Sequence, residues 1–144
     1  MNHTLLTTIA IAATAVTGCA APSAAHHHAA SVGAPDSRVV ELPGQPGAGE
    51  PRQVRVLVDE PALKLASMVL RGGTVLPTHD SAVPVTIVAL QGSGTVVAGS
   101  ERLRLDATHA VVLAPGVPHA VEPDQGTDLV LLVHHLGQGE EHHP

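Results

Sequence analysis

The sequence contains no phenylalanine, tryptophan or tyrosine among its 144 residues. Without aromatic side chains, the chain cannot stack nucleic-acid bases or build an aromatic clamp around a sugar or a flavin. Its interior must come from valine, leucine, alanine and a few isoleucine and methionine residues. Charged residues make up only 14% of the chain, against about 25% in ordinary soluble domains.

Positive charge is scarce as well. Lys64 is the single lysine, and the chain has 7 lysine and arginine residues against 13 aspartate and glutamate residues, a formal net charge of -6. A nucleic-acid binder needs a basic surface to neutralise phosphates, so this composition excludes that class. The length is enough for one domain with additional terminal segments.

The chain also has no apolar run long enough to cross a bilayer, which takes about 20 residues. Its longest apolar or weakly polar run covers residues 5–16 and suits the hydrophobic region of a signal peptide, although the usual positive start is missing. Cys19 is the only cysteine, so no internal disulfide can form. An unpaired thiol in a secreted chain needs an explanation, and lipidation supplies one.

The sequence Val16-Thr17-Gly18-Cys19 resembles the bacterial lipobox, in which the cysteine thiol is lipidated and becomes the new N-terminus. The resemblance implies an extracytoplasmic protein of the cell envelope, held at the membrane through a lipid on Cys19. The alternative is an uncleaved apolar N-terminus with an incidental cysteine. Composition then predicts four segments: a signal peptide (1–18), a flexible Ala/Pro/Gly/His-rich tether (19–52), a folded body (53–137) and a disordered tail (138–144).

Histidine is the unusual residue, with 11 copies. Six lie in the terminal segments: His3, His26, His27, His28, His142 and His143. They either chelate metal loosely or are low-complexity sequence in exposed segments. Five lie in the body, where chemistry is expected: His79, His109, His119, His134 and His135.

The body consists of short β-branched or alternating runs separated by glycine and proline turns. Examples are residues 54–58, 63–70, 84–90 and 129–136. No segment carries a helical stripe of apolar residues, so the pattern predicts an all-β sandwich or barrel. About 85 residues give a small core, and pairing of an edge strand in a homodimer would extend it.

Two histidines lie near turns, and His119 is expected where a strand begins. His79 comes after Gly73 and Pro77, and His119 comes directly after Pro118. Alternation along a strand puts His119 and Val121 on the same face. Imidazoles on neighbouring strands can converge on one metal ion, and neutral imidazole suits Zn, Fe, Cu and Ni.

The spacing of these residues resembles that of a single-domain cupin, a small double-sheet jelly-roll β-barrel. The first cupin motif is Gly, five residues, His-x-His, three or four residues, Glu, six residues, Gly. This chain matches its spacing with Gly73, His79, Ser81, Val85 and Gly92, although Ser81 stands for the second His and Val85 for the Glu. The resemblance covers about residues 60–136.

The second motif is Gly, five residues, Pro-x-Gly, two residues, His, three residues, Asn. Gly116 and His119 match it, whereas Thr108, Ala114 and Pro123 replace the opening Gly, the Pro and the closing Asn.

Cupin metal centres use the two His and the Glu of the first motif and the His of the second. The resemblance therefore implies His79 and His119 as metal ligands, and open metal sites usually keep about three protein ligands. The third is expected from the last strand, where adjacent His134 and His135 point to opposite faces, so at most one faces inward. Four residues are expected to line the pocket: Ser81, Val85, Ile87 and Val121.

These observations leave three alternative functions for the protein. The first is an envelope-anchored cupin that binds a divalent metal (Fe, Mn, Zn or Ni), a small molecule or both in its barrel. If it is an enzyme, the resemblance implies dioxygenase- or isomerase-like metal chemistry, but the missing Glu leaves catalysis undecided. The second is a metal-free ligand-binding or sensing module. The third is surface metal handling by the histidine-rich tails.

Overall fold

The computed structural model describes residues 37–137, which contain nine β-strands and no helix. The predicted signal peptide, Cys19 and the terminal histidines lie outside the described residues. Within 37–137, no helix is long and apolar enough to cross a membrane. The strands are β1 (Arg52–Glu60), β2 (Leu63–Leu70), β3 (Leu76–His79), β4 (Val85–Gln91), β5 (Gly94–Ala98), β6 (Glu101–Leu105), β7 (Val111–Leu113), β8 (His119–Pro123) and β9 (Leu129–Leu136).

The strands form two antiparallel sheets. One sheet has five strands in the order β1-β2-β9-β4-β7, and the other has four in the order β3-β8-β5-β6. The last strand, β9, lies between β2 and β4 in the middle of the larger sheet. This arrangement confirms the predicted all-β jelly roll with two sheets. The predicted homodimer through an edge strand stays a prediction.

Leucine and valine fill the core in place of aromatic residues. Strands β4, β5 and β8 bury every second side chain from their first residue, as expected for sheets with one buried face. The fully buried side chains are Leu70, Leu105, Leu129, Leu131, Val96, Val121 and Val130. Each stabilises the fold by roughly 1.5–3 kcal/mol relative to an exposed position.

The sequence pattern missed the short strand β3. Its four residues read Leu-Pro-Thr-His, and only Leu76 is buried, so the strand carries no alternation of apolar and polar residues. Pro77 removes one backbone donor, which is tolerated because β3 lies at the edge of its sheet. Strand β3 matters here because it ends at His79.

One arginine attaches part of the predicted tether to the larger sheet. The Arg71 guanidinium donates hydrogen bonds to the carbonyls of Pro46, Gly47 and Glu50 and to the side-chain oxygen of Gln53, at 2.5–2.9 Å. Arginine suits this role because its planar group presents several donors in a fixed geometry. The predicted tether thus includes residues that contact the body of the protein.

Gly92, between β4 and β5, occupies a position that only glycine fits. Its φ angle is 79°, in the left-handed region, and a Cβ built there would overlap the carbonyl oxygen of Asp128. Gly99 has a similar φ of 60° but open space around it. An alanine substitution at Gly99 therefore adds backbone strain alone, whereas one at Gly92 adds backbone strain and a steric overlap.

We expect Gly92→Ala to lower the free energy of unfolding by about 3 kcal/mol or more, because it adds overpacking to the strain of a left-handed conformation. Gly99→Ala should cost only about 1–2 kcal/mol, the strain alone. Urea unfolding followed by far-UV circular dichroism measures both, since the chain has no tryptophan for fluorescence. Equal losses for the two variants would contradict the close approach at Asp128.

Candidate functional site

A cavity of about 250 Å³ lies between the two sheets. Its walls come from β1, β2, β4 and β9 of the larger sheet and from β3 and β8 of the smaller one. Most of its lining is apolar. The five polar side chains that line it are Lys64, His79, Ser81, His119 and His135.

Cross-strand pairing arranges the larger sheet's contribution in three rows. In the first row, His135 of β9 pairs with Lys64 of β2 on one side and with Val85 of β4 on the other. The cavity-lining residues of the next two rows are all apolar: Val56, Ala66, Val133 and Ile87, then Val54, Met68 and Leu131. Because paired residues project to the same face, this wall of the cavity has a polar end and an apolar end.

The smaller sheet also contributes a polar row and an apolar row to the cavity. His79 of β3 pairs with His119 of β8, and Leu76 pairs with Val121 in the neighbouring row. The two imidazole rings lie with their centroids 4.3 Å apart and their planes tilted by 53°. His119 is buried, with 3% of its surface exposed, whereas His79 is exposed. One histidine of the pair is therefore inside the barrel and the other at its opening.

The same local hydrogen bond fixes both rings. Nδ1 of His79 lies 2.9 Å from the carbonyl oxygen of Pro77, and Nδ1 of His119 lies 2.9 Å from that of Val117. A carbonyl oxygen only accepts, so each Nδ1 carries the proton and donates it. In the neutral rings, Nε2 then keeps its lone pair, as in histidines oriented to bind a metal.

A backbone hydrogen bond joins the two loops that hold these histidines. The amide of Gly116 donates to the carbonyl of Ser81 at 2.7 Å. Gly116 has a φ of 72°, so glycine also suits the turn before His119. The matched glycine of the second motif thus helps set the distance between the two histidines.

Strand β9 separates the two histidines that the sequence could not distinguish. His135 lines the cavity, whereas His134 does not. On the other face, Nδ1 of His134 lies 2.9 Å from Oγ1 of Thr86, its cross-strand partner. The expectation that at most one of the pair faces inward therefore selects His135.

His135 lies in an environment that opposes a positive charge. Burial lowers its pKa from the ordinary value of 6.5, and the charges of Lys64, His79 and His119 lower it further. Its Nδ1 is buried and has no hydrogen-bond partner among the described residues. Because His135 lines the same cavity as the other two histidines and has an unpaired ring nitrogen there, it remains a candidate third ligand.

The four predicted pocket residues all line the cavity: Ser81, Val85, Ile87 and Val121. Val85, which stands where the cupin motif has a glutamate, is 2% exposed and apolar. Sequence reasoning missed Lys64 as a cavity residue. The position of Lys64 follows from its pairing with His135, which the sequence pattern alone did not reveal.

His109 belongs to a separate surface turn. Its Nδ1 lies 2.8 Å from Oδ1 of Asp106, and Thr108 donates two further hydrogen bonds to the same carboxylate. The bond from His109, followed by those from Thr108, holds the pKa of Asp106 well below its usual range. His109 thus stabilises a turn away from the cavity, although it is one of the five body histidines at which chemistry was expected.

Among residues 37–137, no three His, Cys, Asp or Glu side chains are close enough together to hold a metal ion as they stand. The rings of His79 and His119 have centroids 4.3 Å apart, and His135 lines the same cavity.

Comparisons with known proteins identify the fold but not the activity. No protein-family model matches the chain, and no curated protein matches it in sequence. Solved structures do match. An RmlC-like cupin with a double-stranded β-helix fold from Methanocaldococcus jannaschii aligns with a TM-score of 0.62 and 16% identity, over 75% of this chain and 97% of that one.

An RmlC-like cupin from Desulfovibrio desulfuricans aligns with a TM-score of 0.53 and 24% identity, over 59% of this chain and 81% of that one. Salicylate 1,2-dioxygenase from Pseudaminobacter salicylatoxidans aligns with a TM-score of 0.54 and 21% identity, over 59% of this chain and 26% of the dioxygenase. A mutant of that enzyme has been solved with gentisate. At these identities the likeness shows the fold alone, which is a cupin jelly roll.

His135 should make the metal-free protein sensitive to acid. Its folded pKa is lowered from 6.5, so the unfolded chain takes up the proton more readily. The stability that the neutral ring contributes is present above about pH 6.5 and is lost as pH falls toward the folded pKa. His135→Gln should therefore reduce the loss of unfolding free energy between about pH 7 and pH 5.

Urea unfolding of chelator-treated protein at several pH values measures this loss. His134→Gln is the matched control, because it changes the neighbouring residue on the other face and should keep the acid sensitivity that His135 causes. A folded pKa of His135 at or above 6.5, measured by NMR titration, would contradict the burial argument.

Proposed function

We propose that this cupin-fold protein binds a small molecule in its barrel and holds a divalent metal ion at the polar end of the cavity, through His79 and His119. The observation that supports this most strongly is the paired orientation of the two rings. Each Nδ1 donates to a backbone carbonyl at 2.9 Å, so each Nε2 is free to bind. Two independent strands thus present the same ligand atom in the same cavity.

The spacing of the rings fits a shared ion. Metal–nitrogen bonds of about 2.1 Å place the centroids of two imidazoles on one ion roughly 4.5–5.5 Å apart. The observed 4.3 Å is close to the lower end of this range. Zinc, nickel, iron and manganese are all compatible with imidazole ligands.

His135 is the proposed third ligand. Its buried Nδ1 has no hydrogen-bond partner among residues 37–137, so no described protein group competes with a metal for that atom. Burial also lowers the pKa of His135 and so favours the neutral form that a ligand needs. A bound metal would supply Lewis acidity or, if redox-active, oxygen activation, while the apolar end of the cavity would bind the rest of the ligand.

The second candidate function is a metal-free ligand-binding or sensing module. It is favoured by Val85 in the glutamate position and by the lack, among residues 37–137, of three ligands already close together. The dioxygenase solved with gentisate has the same fold, which supports the barrel as a place for a small molecule. If the protein is an enzyme, we propose metal-dependent dioxygenase- or isomerase-like chemistry.

Metal content after dialysis tests the proposed site. The tails confuse that measurement, so the background chain carries Cys19→Ser and asparagine in place of His26, His27, His28, His142 and His143. We expect about one zinc or nickel ion per background chain. His79→Ala combined with His119→Ala should abolish this binding and keep the far-UV circular dichroism spectrum.

His134→Ala is the matched control, since it removes an imidazole from the outer face of β9 and should leave the stoichiometry unchanged. A double variant that keeps its metal would show that the site assignment is wrong. A background chain that binds no metal, beside an unsubstituted chain that does, would favour metal handling by the tails. No metal on either chain would favour the metal-free module.

We also propose that Cys19 carries a lipid that anchors the protein on the extracytoplasmic side of the membrane. The lipobox-like sequence before Cys19 supports this, as does the lack of any other cysteine. The predicted tether would then separate the barrel from the membrane surface.

Expression in a bacterial host tests the anchor. The unsubstituted protein should partition into the detergent phase of Triton X-114 and gain the mass of a lipid, whereas Cys19→Ala should stay in the aqueous phase. Equal partitioning of the two proteins, with no added mass on the unsubstituted one, would contradict lipidation.

A further inference from the structure

We propose that the barrel cavity selects a small apolar anion, such as a monocarboxylate, whose negative group lies beside Lys64 at the polar end of the cavity. The inference rests on the proposed function, because it names the class of ligand that the same cavity takes. We draw it from the charges of the side chains that line the cavity, which the metal proposal does not use.

The cavity is electropositive in an acidic protein. The chain carries a formal net charge of -6, yet none of the described residues that line the cavity is an aspartate or a glutamate. Its polar lining consists of an ammonium group, three imidazoles and one hydroxyl. None of these groups is negatively charged, and Lys64 brings a full positive charge with three N–H donors.

Lys64, the only lysine of the chain, lies where this charge acts on the cavity. It pairs with His135 across β2 and β9, and its charge contributes to the lowered pKa of that histidine. Its ion-pair partner is Asp59, at 3.9 Å, with 68% of the Asp59 side chain exposed. Such a long, solvent-screened pair neutralises the ammonium group only weakly, so its charge stays available to a ligand.

The cavity is polar at one end and apolar at the other, and the apolar end determines which body the anionic ligand has. Lys64 and His135 lie in the polar row, and the rows beyond them contain only valine, alanine, isoleucine, methionine and leucine. A ligand with an anionic head at the polar end and a hydrocarbon body at the other end satisfies both. The volume of about 250 Å³ suits a body about the size of one benzene ring.

Three ligands of one shape and different charge test the proposal: benzoate, benzamide and benzamidine. The protein lacks aromatic residues, so equilibrium dialysis can follow each ligand by its near-ultraviolet absorbance. With chelator-treated full chain, we expect benzoate to bind at least tenfold more tightly than benzamide, and benzamidine to bind most weakly.

Equal affinity for benzoate and benzamide would overturn the anion inference and leave the proposed small-molecule function standing. Failure of all three to bind, both without metal and after zinc is added, would overturn the inference and the small-molecule part of the proposed function together.

Variants at position 64 test whether the positive charge of Lys64 causes the preference for the anion. Lys64→Met should weaken benzoate binding about tenfold and leave benzamide binding unchanged, whereas Lys64→Arg should keep most of the preference for the anion. Arg102→Met is the matched control, because it removes one positive charge from an exposed pair with Glu122 that does not line the cavity. It should change neither affinity.

Two results would show that Lys64 does not hold the anion. One is an equal loss of benzoate binding in Arg102→Met and Lys64→Met, since net charge would then explain the effect. The other is benzoate binding that requires added zinc and does not change in Lys64→Met, which would assign the anion to the metal. Far-UV circular dichroism of each variant checks that the fold is kept.

Discussion

The register of β9 between β2 and β4 decides which side chains the central strand of the larger sheet contributes to the cavity. Pairing places His135 beside Lys64 and Val85 on the inner face and sends His134 outward to Thr86. A slip of one residue would reverse every side chain of the strand, replacing inward His135 and Val133 with His134 and Leu132. The proposed third ligand depends on this alignment, whereas His79, His119 and Lys64 come from β3, β8 and β2.

The lack of aromatic residues shapes the rest of the barrel. Leucine and valine fill the core on both sheets, and the small side chains of the inner rows, such as Ala66, leave a cavity open between them. A wall of such side chains excludes water and limits the shape of a ligand, but it makes no hydrogen bond or ion pair with it. Recognition must therefore come from the few polar groups, among them three imidazoles and one ammonium group, that line the cavity.

Much of this arrangement could be predicted from the sequence. Alternating runs and turn residues gave most of the strands, and the spacing from Gly73 to Gly92 and from Gly116 to His119 gave the pair of histidines. Strand β3 was missed because Leu-Pro-Thr-His has no alternation. The choice between His134 and His135, the role of Lys64 and the hydrogen bonds of Arg71 all depend on which strands become neighbours. Such long-range pairing leaves no periodic signal within a single segment.

The most direct test of the histidine site is NMR of the imidazole nitrogens in ¹⁵N-labelled protein, before and after one equivalent of zinc. The hydrogen bonds to Pro77 and Val117 predict that His79 and His119 both carry the proton on Nδ1 in the neutral, metal-free form. Zinc should then shift the Nε2 resonances of both rings and leave those of His134 in place. Protonation on Nε2 in either ring, or zinc-induced shifts confined to other histidines, would contradict the proposed site.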